Sequence, residues 1–365
     1  MSKPLWSGRF DAAPDPAAFD FGISFPFDRR LFEDDVTGSL AWAEALARAG
    51  VLDAADAKAI ADALAQILEQ GRRDPSWIAG DDEDVHSFVE RQLVARIGDA
   101  GRRLHTGRSR NEQVSVDLRL YLRRRIPLLQ QRLRAAITAF ADQAERAGTA
   151  LMPSYTHLRR AMPVLVSHFL LSHAAALCRD HARLEAARAE ADALPLGSGA
   201  IAGTGYSVDT AFLAARLGFS RVVPNSIDAS SDRDFAASFL HASALAMVHL
   251  SRIAEDFIMM TGEEFGFFEL ADSSATGSSM MPQKKNPDPL ELVRGKSGRV
   301  IGHLTGFLVT MKGLPTGYNK DLQEDKEALF DAEDTLAVSL DATRAVLAHV
   351  SLRQERARLA ASGLL

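Results

Sequence analysis

The sequence predicts an all-α fold, a long central helical bundle beside a smaller N-terminal helical domain. Three observations lead there. Apolar residues recur at three- and four-residue steps through five stretches of roughly 25 to 35 residues, well beyond the ~11–12 of an average helix. Strand patterns are scarce, and Arg221-Val222-Val223 is the one short candidate. The segments joining the long stretches are polar and carry glycine or proline, as helix-to-helix connections in a bundle do.

The chain has 365 residues, 47% hydrophobic and 25% charged. That exceeds the ~250–300 residues at which one compact core stops growing. Three regions are expected: 1–107, an N-terminal, mainly helical domain; 108–352, the long-helix bundle; and 353–365, the start of a C-terminal region that is cut short. Net charge is −6, and no block of like charges forms a nucleic-acid arm, so no nucleic-acid partner is expected. The single cysteine, Cys178, excludes a disulfide framework and lies in an apolar helical run, where burial is expected. The first residues hold no apolar run of signal-peptide length. The most membrane-like stretch, 162–177, is interrupted by Ser167, His168, Ser172 and His173 and is short of the ~20 residues a span needs. The expected setting is cytoplasmic, with no membrane partner.

Residues 1–30 read as irregular. From Arg30 the apolar residues Leu31, Phe32, Val36, Leu40, Ala43 and Ala47 define a helix ended by Gly50. Asp53 is the expected N-cap of the next, with Ile60, Leu64 and Ile67 on its face. A loop follows over 71–80. Asp81-Asp82-Glu83-Asp84 opens a third helix, where carboxylates suit the N-terminal dipole. Long helices are then expected near 112–147, 163–194, 233–262, 288–312 and 324–350, the first kinked at Pro127. Pro163 suits a first helical turn. Gly197-Ser198-Gly199-Ala200-Ile201-Ala202 mimics a dinucleotide fingerprint but follows a helix and lacks the strand that motif requires. It reads as a glycine-rich connection.

Four helix-end segments are more polar than capping needs. Thr106 to Gln113 offers guanidinium and amide donors at a helix start, suited to a carboxylate. Ser154-Tyr155-Thr156-His157 presents a histidine as a candidate base ahead of a long helix. Gly277-Ser278-Ser279-Met280-Met281-Pro282-Gln283-Lys284-Lys285-Asn286-Pro287-Asp288 combines hydroxyls, adjacent ammonium groups and an amide between prolines, a mixture that packing alone does not call for. Glu291 follows on the next helix, either orienting a histidine or simply solvated. Tyr318 to Lys326 could converge on an anionic or polar ligand, or serve as a charged helix entry. No histidine pair shows zinc-ligand spacing, and no metal or cofactor is expected.

The run 277–287 resembles the signature loop of the fumarase/aspartase superfamily. With His105-Thr-Gly-Arg-Ser-Arg-Asn111 and Tyr318-Asn-Lys-Asp-Leu-Gln-Glu-Asp-Lys326, it is similar to the argininosuccinate lyase branch in particular. The likeness runs from Trp6-Ser-Gly-Arg-Phe10 to the end of the chain. It implies a homotetramer whose central helices share one bundle and whose active sites each draw on three subunits. It implies cofactor-free elimination of arginine from argininosuccinate, leaving fumarate. His157 and Ser278 match the family's catalytic pair, and Glu291 matches the carboxylate that pairs with the histidine. Ser24, Ser109, Arg110, Asn111, Thr156, Lys284, Asn286, Tyr318, Gln323 and Lys326 match its substrate contacts. Ser278 as base and His157 as acid is the favoured order, and the reverse also suits these residues.

The chain departs from the family at Arg159 and Met162, where glutamines are usual. Family members also continue for roughly a hundred residues into a C-terminal helical domain. Alternative readings are a sister lyase acting on adenylosuccinate, aspartate or malate, and a catalytically silent homologue like the lens crystallins.

Overall fold

A computed structural model describes residues 15–364. The helices in chain order are α1 (Pro16–Gly22), α2 (Phe25–Asp28), α3 (Phe32–Arg48), α4 (Ala54–Arg73), α5 (Val85–Ile97), α6 (Asp99–Arg102) and α7 (Arg110–Ala147). After a hairpin of β1 (Leu151–Thr156) and β2 (Arg159–Leu165) come α8 (Val166–Ala191), α9 (Thr210–Leu217), α10 (Ser226–Ser231) and α11 (Asp234–Thr261). Short strands β3 (Phe268–Glu269), β4 (Thr276–Gly277) and β5 (Lys285–Asn286) precede α12 (Asp288–Met311) and α13 (Asp325–His349). Strand β6 (Ser351–Leu352) and α14 (Gln354–Ala361) follow. The all-α expectation holds.

The chain divides into two compact units. The first takes residues up to 121 together with 193–232 and 316–323. In it α3 packs against α4, α5 and α9. Phe32, Trp42, Leu46, Ile60, Leu64, Ile67 and Phe88 are buried there, each contributing on the order of 1.5–3 kcal/mol by leaving water. Phe88 stacks on Phe25 at 5.3 Å and receives the edge of Trp77 at 5.2 Å. Asp53 and Asp84 cap their helices by accepting from the backbone N–H of Asp56 and Ser87 at 2.8 and 2.7 Å. Helix α4 runs three residues into the expected loop. Gly71 lets it do so, because the Phe32 ring occupies the place a side chain would take.

The second unit takes 122–192, 233–315 and 324 onwards. Helix α11 packs on α8, α12 and α13, and α12 packs on α13. The later turns of α7 are held there by Arg125, paired with the buried Glu333 at 2.6 Å, and by Gln143, whose amide donates to the Val350 carbonyl at 2.9 Å. Phe140 of α7 meets Phe257 of α11. Helix α7 is unbroken across Pro127.

Four expectations need correction. Residues 15–30 are not irregular, since they carry α1 and α2, and the rest of that expectation, with the stretch from Trp6 to Phe10, lies outside the described residues. Residues 151–165 form a hairpin, not a loop running into a helix at Pro163, and α8 begins only at Val166. The pair Pro153 and Pro163 lie opposite each other in it, so neither strand asks the other for the N–H that proline lacks. Val222 makes only an isolated bridge to Leu194. Cys178 is exposed: α8 buries Leu170, Ala174, Leu177 and Leu184, and the residue after Leu177 turns about 100° away from that stripe.

Candidate active site

In the first unit, several expected site segments are linked by hydrogen bonds. The backbone N–H of Ser24 donates to the Glu83 carbonyl at 2.8 Å, and the buried Ser24 hydroxyl donates to Asp28. Asp28 also accepts the N–H of Val85 at 2.9 Å, so the Ser24 segment is clamped to the start of α5. The Gln323 amide donates to the Gly22 carbonyl at 3.3 Å, and Lys320 faces Glu83 at 3.7 Å. Arg110 pairs with Asp84 at 3.3 Å. Ser109 caps α7, its hydroxyl accepting the N–H of Asn111 at 3.2 Å, and the Asn111 amide donates to the Ala200 carbonyl at 3.1 Å. Tyr318 lies within this unit, half-buried. The structure therefore groups the segments bearing Ser24, Ser109, Arg110, Asn111, Tyr318 and Gln323 in one unit.

The two arginines of the 106–113 segment have separate duties. Arg108 is buried, donates to Ser39 at 3.1 Å, and adjoins a polar cluster of Asp35, His86 and Asp117. In that cluster His86 Nδ1 lies 2.7 Å from Asp35 and 3.4 Å from Asp117, and the Gln113 amide donates to Asp35 at 2.6 Å. Burial pushes the Asp35 carboxyl up, but His86 and Arg108 outweigh it and hold it at about 2. Burial and the neighbouring Asp35 and Asp34 carboxylates push Asp117 well above its usual range. The three side chains offer ligand atoms within 4.8 Å of one another, a spacing a cation could use. Here positive charge comes from Arg108. His105, next to it, is driven down from 6.5 to about 4 by burial, then by Arg108 and Arg110.

In the second unit, Thr156 ends β1 and His157 begins the turn of the hairpin. His157 and Leu158 carry φ of 54° and 55°, a two-residue turn with both positions left-handed. Neither residue is glycine or asparagine, so backbone energy is stored where the imidazole is presented. His157 and Leu158 are both exposed. A cavity of about 630 Å³ flanks this hairpin, lined by Tyr155, Leu158, Arg159, Arg160, Phe265 and Arg356 among others. Arg159, at the site of the family departure, is part of its wall.

The signature loop is the tip of a second hairpin, in which Thr276 pairs with Asn286 and Gly277 with Lys285. The Ser278 hydroxyl oxygen accepts the backbone N–H groups of Met280 and Met281 at 3.2 and 3.1 Å. These two bonds hold the hydroxyl oxygen in a tight local turn at the loop tip. Adjacent lysines divide: Lys285 pairs with Asp272 at 2.7 Å, whereas Lys284 is exposed and makes no ion pair among the described residues. Glu291 is exposed in the first turn of α12, 3.7 Å from Arg294. Lys326, buried, donates to Asp325 at 2.8 Å.

Within the described residues of one chain, no hydrogen bond or ion pair joins His157 to Ser278 or Glu291, so the expected trio is not assembled by side-chain contact. Sequence reasoning missed Asp84 as the partner of Arg110, having assigned its run to the helix dipole. It also missed Glu112, whose carboxylate reaches the backbone of Gly197 at 2.7 Å. The Ser-x-x-Glu spacing at 109–112 was the available signal.

Residues 8–302 match a family described as Lyase. The argininosuccinate lyase of Roseiflexus castenholzii is 49% identical over 356 residues, covering 98% of this chain and 78% of that protein. That of Synechocystis sp. is 50% identical over 357 residues, covering 98% and 77%. Among solved structures, an EDDS lyase in complex with formate matches with a TM-score of 0.81 at 26% identity, over 96% of this chain and 69% of that one. The fumarate lyase:delta crystallin from Brucella melitensis bound to cobalt shares the fold, with a TM-score of 0.83 at 20% identity over 97% and 81%. No helix among the described residues is long and apolar enough to cross a membrane. The chain belongs to the argininosuccinate lyases of the fumarase/aspartase superfamily.

Proposed function

We propose that this chain cleaves argininosuccinate into arginine and fumarate without a cofactor, as a cytoplasmic homotetramer serving arginine biosynthesis. The observation that carries this is the near-50% identity to argininosuccinate lyases over almost the whole chain. In the reaction Ser278 Oγ, held by the Met280 and Met281 N–H groups, takes the proton from the carbon next to a carboxylate. The electron pair spreads into that carboxylate as a dianion, which Lys284 and Asn286 neutralise. The carbon–nitrogen bond then breaks, its electrons leave with the guanidinium nitrogen, and the carbon–carbon double bond of fumarate forms. His157 supplies the proton that nitrogen needs, with Glu291 supporting the charged ring. Thr156, Ser24, Ser109, Arg110, Asn111, Tyr318, Gln323 and Lys326 hold the carboxylates and the guanidinium end.

Residues from different copies complete each site in this reading. Its support is the exposed apolar residues of α12, Leu292 at 61%, Leu308 at 49% and Val309 at 56%, which spread around the helix and which other copies would cover. The test is fumarate release followed by ultraviolet absorbance, beside a sizing column. Release from argininosuccinate, but not from adenylosuccinate, aspartate or malate, is expected. Release from one of the others instead would assign the chain to that sister reaction, and release from none would leave the silent homologue. Ser278→Ala should abolish turnover and keep the tetramer; full activity in it would remove Ser278 from the mechanism.

A further inference from the structure

The glycine-rich run 197–202 has no part in the reaction as drawn, yet it is tied to the segment that does. Glu112 lies in the first turn of α7 and is fully buried. One carboxylate oxygen accepts the N–H of Ser109 at 3.1 Å, closing the reciprocal cap that Ser-x-x-Glu predicts. The other accepts the N–H of Gly197 at 2.7 Å, eighty-five residues away, which capping does not require. The backbone N–H of Gly199 also supports the carboxylate. Among the described residues Glu112 makes no ion pair, so its acceptors are devoted to backbone N–H groups of two loops.

Other contacts repeat the link. Asn111 donates to the Ala200 carbonyl at 3.1 Å. Gly107, at φ +69°, comes so near Tyr206 that a Cβ there would sit 2.6 Å from its ring. Gly199, at φ +60°, leaves no room for a Cβ against the Gly203 carbonyl. The two segments are thus tied by side chains of one that reach the backbone of the other, and the 197–203 loop is closely packed on itself.

We infer that Glu112 is a positioning residue, binding the 197–203 loop to the 109–111 cap as one rigid wall and so fixing where Ser109, Arg110 and Asn111 meet the substrate. The inference rests on the proposed lyase reading for its substrate, and on the geometry alone for the link between loops. Glutamine has the same shape but only one acceptor oxygen. In Glu112→Gln at least one of these N–H groups must therefore face an amide donor.

Two readouts on the intact protein test this. Amide hydrogen exchange in 197–203 and 106–111 should quicken together by about tenfold in Glu112→Gln, with the α7 amides beyond 116 unchanged. In fumarate release, KM for argininosuccinate should rise about tenfold while kcat changes less, because the ground-state contacts are displaced. Unchanged exchange in 197–203 overturns the link whatever the activity. A lowered melting temperature with wild-type KM would reduce Glu112 to a helix cap and overturn the positioning role. A wild type inactive on argininosuccinate would refute the lyase reading instead, and the exchange experiment would still decide the link.

Discussion

Asp325, the first residue of α13, holds two buried cations. Its Oδ2 accepts from Arg233 Nε at 2.6 Å, and its Oδ1 accepts from Lys326 Nζ at 2.8 Å. The side chains of Arg233 and Asp325 are 0% exposed and that of Lys326 is 3% exposed. Asp325→Ala leaves both charges in the interior without this carboxylate. Charge-assisted hydrogen bonds of this kind contribute about 1.5–3 kcal/mol each. Breaking a buried pair by removing one partner costs about 3–5 kcal/mol. A loss of about 4 kcal/mol therefore follows, or about 8 °C in melting temperature at roughly 2 °C per kcal/mol for a chain above 150–250 residues. Circular dichroism at 222 nm and one fixed scan rate measures it. Arg233→Met should cost less, because Asp325 keeps Lys326. The double variant should lose less than the sum of the two, since the second change removes one of the cations that the first stranded. A melting temperature within about 1 °C of wild type for Asp325→Ala, or strictly additive losses, would refute the reasoning. Lys326 is also a proposed substrate contact, so KM should rise in Asp325→Ala below its melting transition.

The remaining expectations are these. Burial and the Asp35 and Asp34 carboxylates raise the Asp117 pKa on folding, so its contribution is present below its unfolded pKa of 3.8 and lost as pH rises towards its elevated folded value. Asp117→Asn, which mimics the neutral acid, should melt no lower than wild type at pH 7, and a fall of several degrees would contradict the assignment. His105 behaves in the opposite sense: its pKa drops from 6.5 to about 4 on folding, so stability is intact above 6.5 and falls by up to about 3 kcal/mol as pH is lowered to 4. Denaturant midpoints across that window should show the slope, and His105→Asn should flatten it. Charging two exposed apolar residues of α12 by Leu308→Lys with Val309→Lys should shift the sizing-column peak to smaller assemblies while helicity stays intact. Lys284→Met should cut fumarate release at least a hundredfold, whereas Lys285→Met, which frees only the exposed Asp272, should leave most of it.

The long helices were legible because each carries one continuous apolar stripe, and their ends fall within about three residues of expectation, as at Asp234–Thr261 and Asp325–His349. The first hairpin was not legible. Its turn is His157-Leu158 where an Asn-Gly pair would announce one, and a proline sits in each strand. Tertiary context overrides those local preferences, and the override falls on the residue proposed as the acid. Cys178 misled for a related reason. An apolar run shows that a helix has a buried face, but one position of phase decides which residue lies on it.

The candidate site was legible as residue types and not as directions. Arg108 and Arg110 read alike in the sequence, yet one is buried on Ser39 and the other faces Asp84 from the helix start. Lys284 and Lys285 read alike, yet only one is neutralised. Asp35, His86 and Asp117 are so far apart in the chain that no spacing rule unites them. Only packing α5 against α3 and the first turns of α7 brings them together and creates the anchor for Gln113. A motif preserves the groups that touch substrate because chemistry restricts their type. The groups that aim them are restricted by geometry alone, and many side chains can satisfy a geometry. Glu112 belongs to this second class: its identity is explained by two backbone N–H groups in distant loops, and only the fold brings those within reach of one carboxylate.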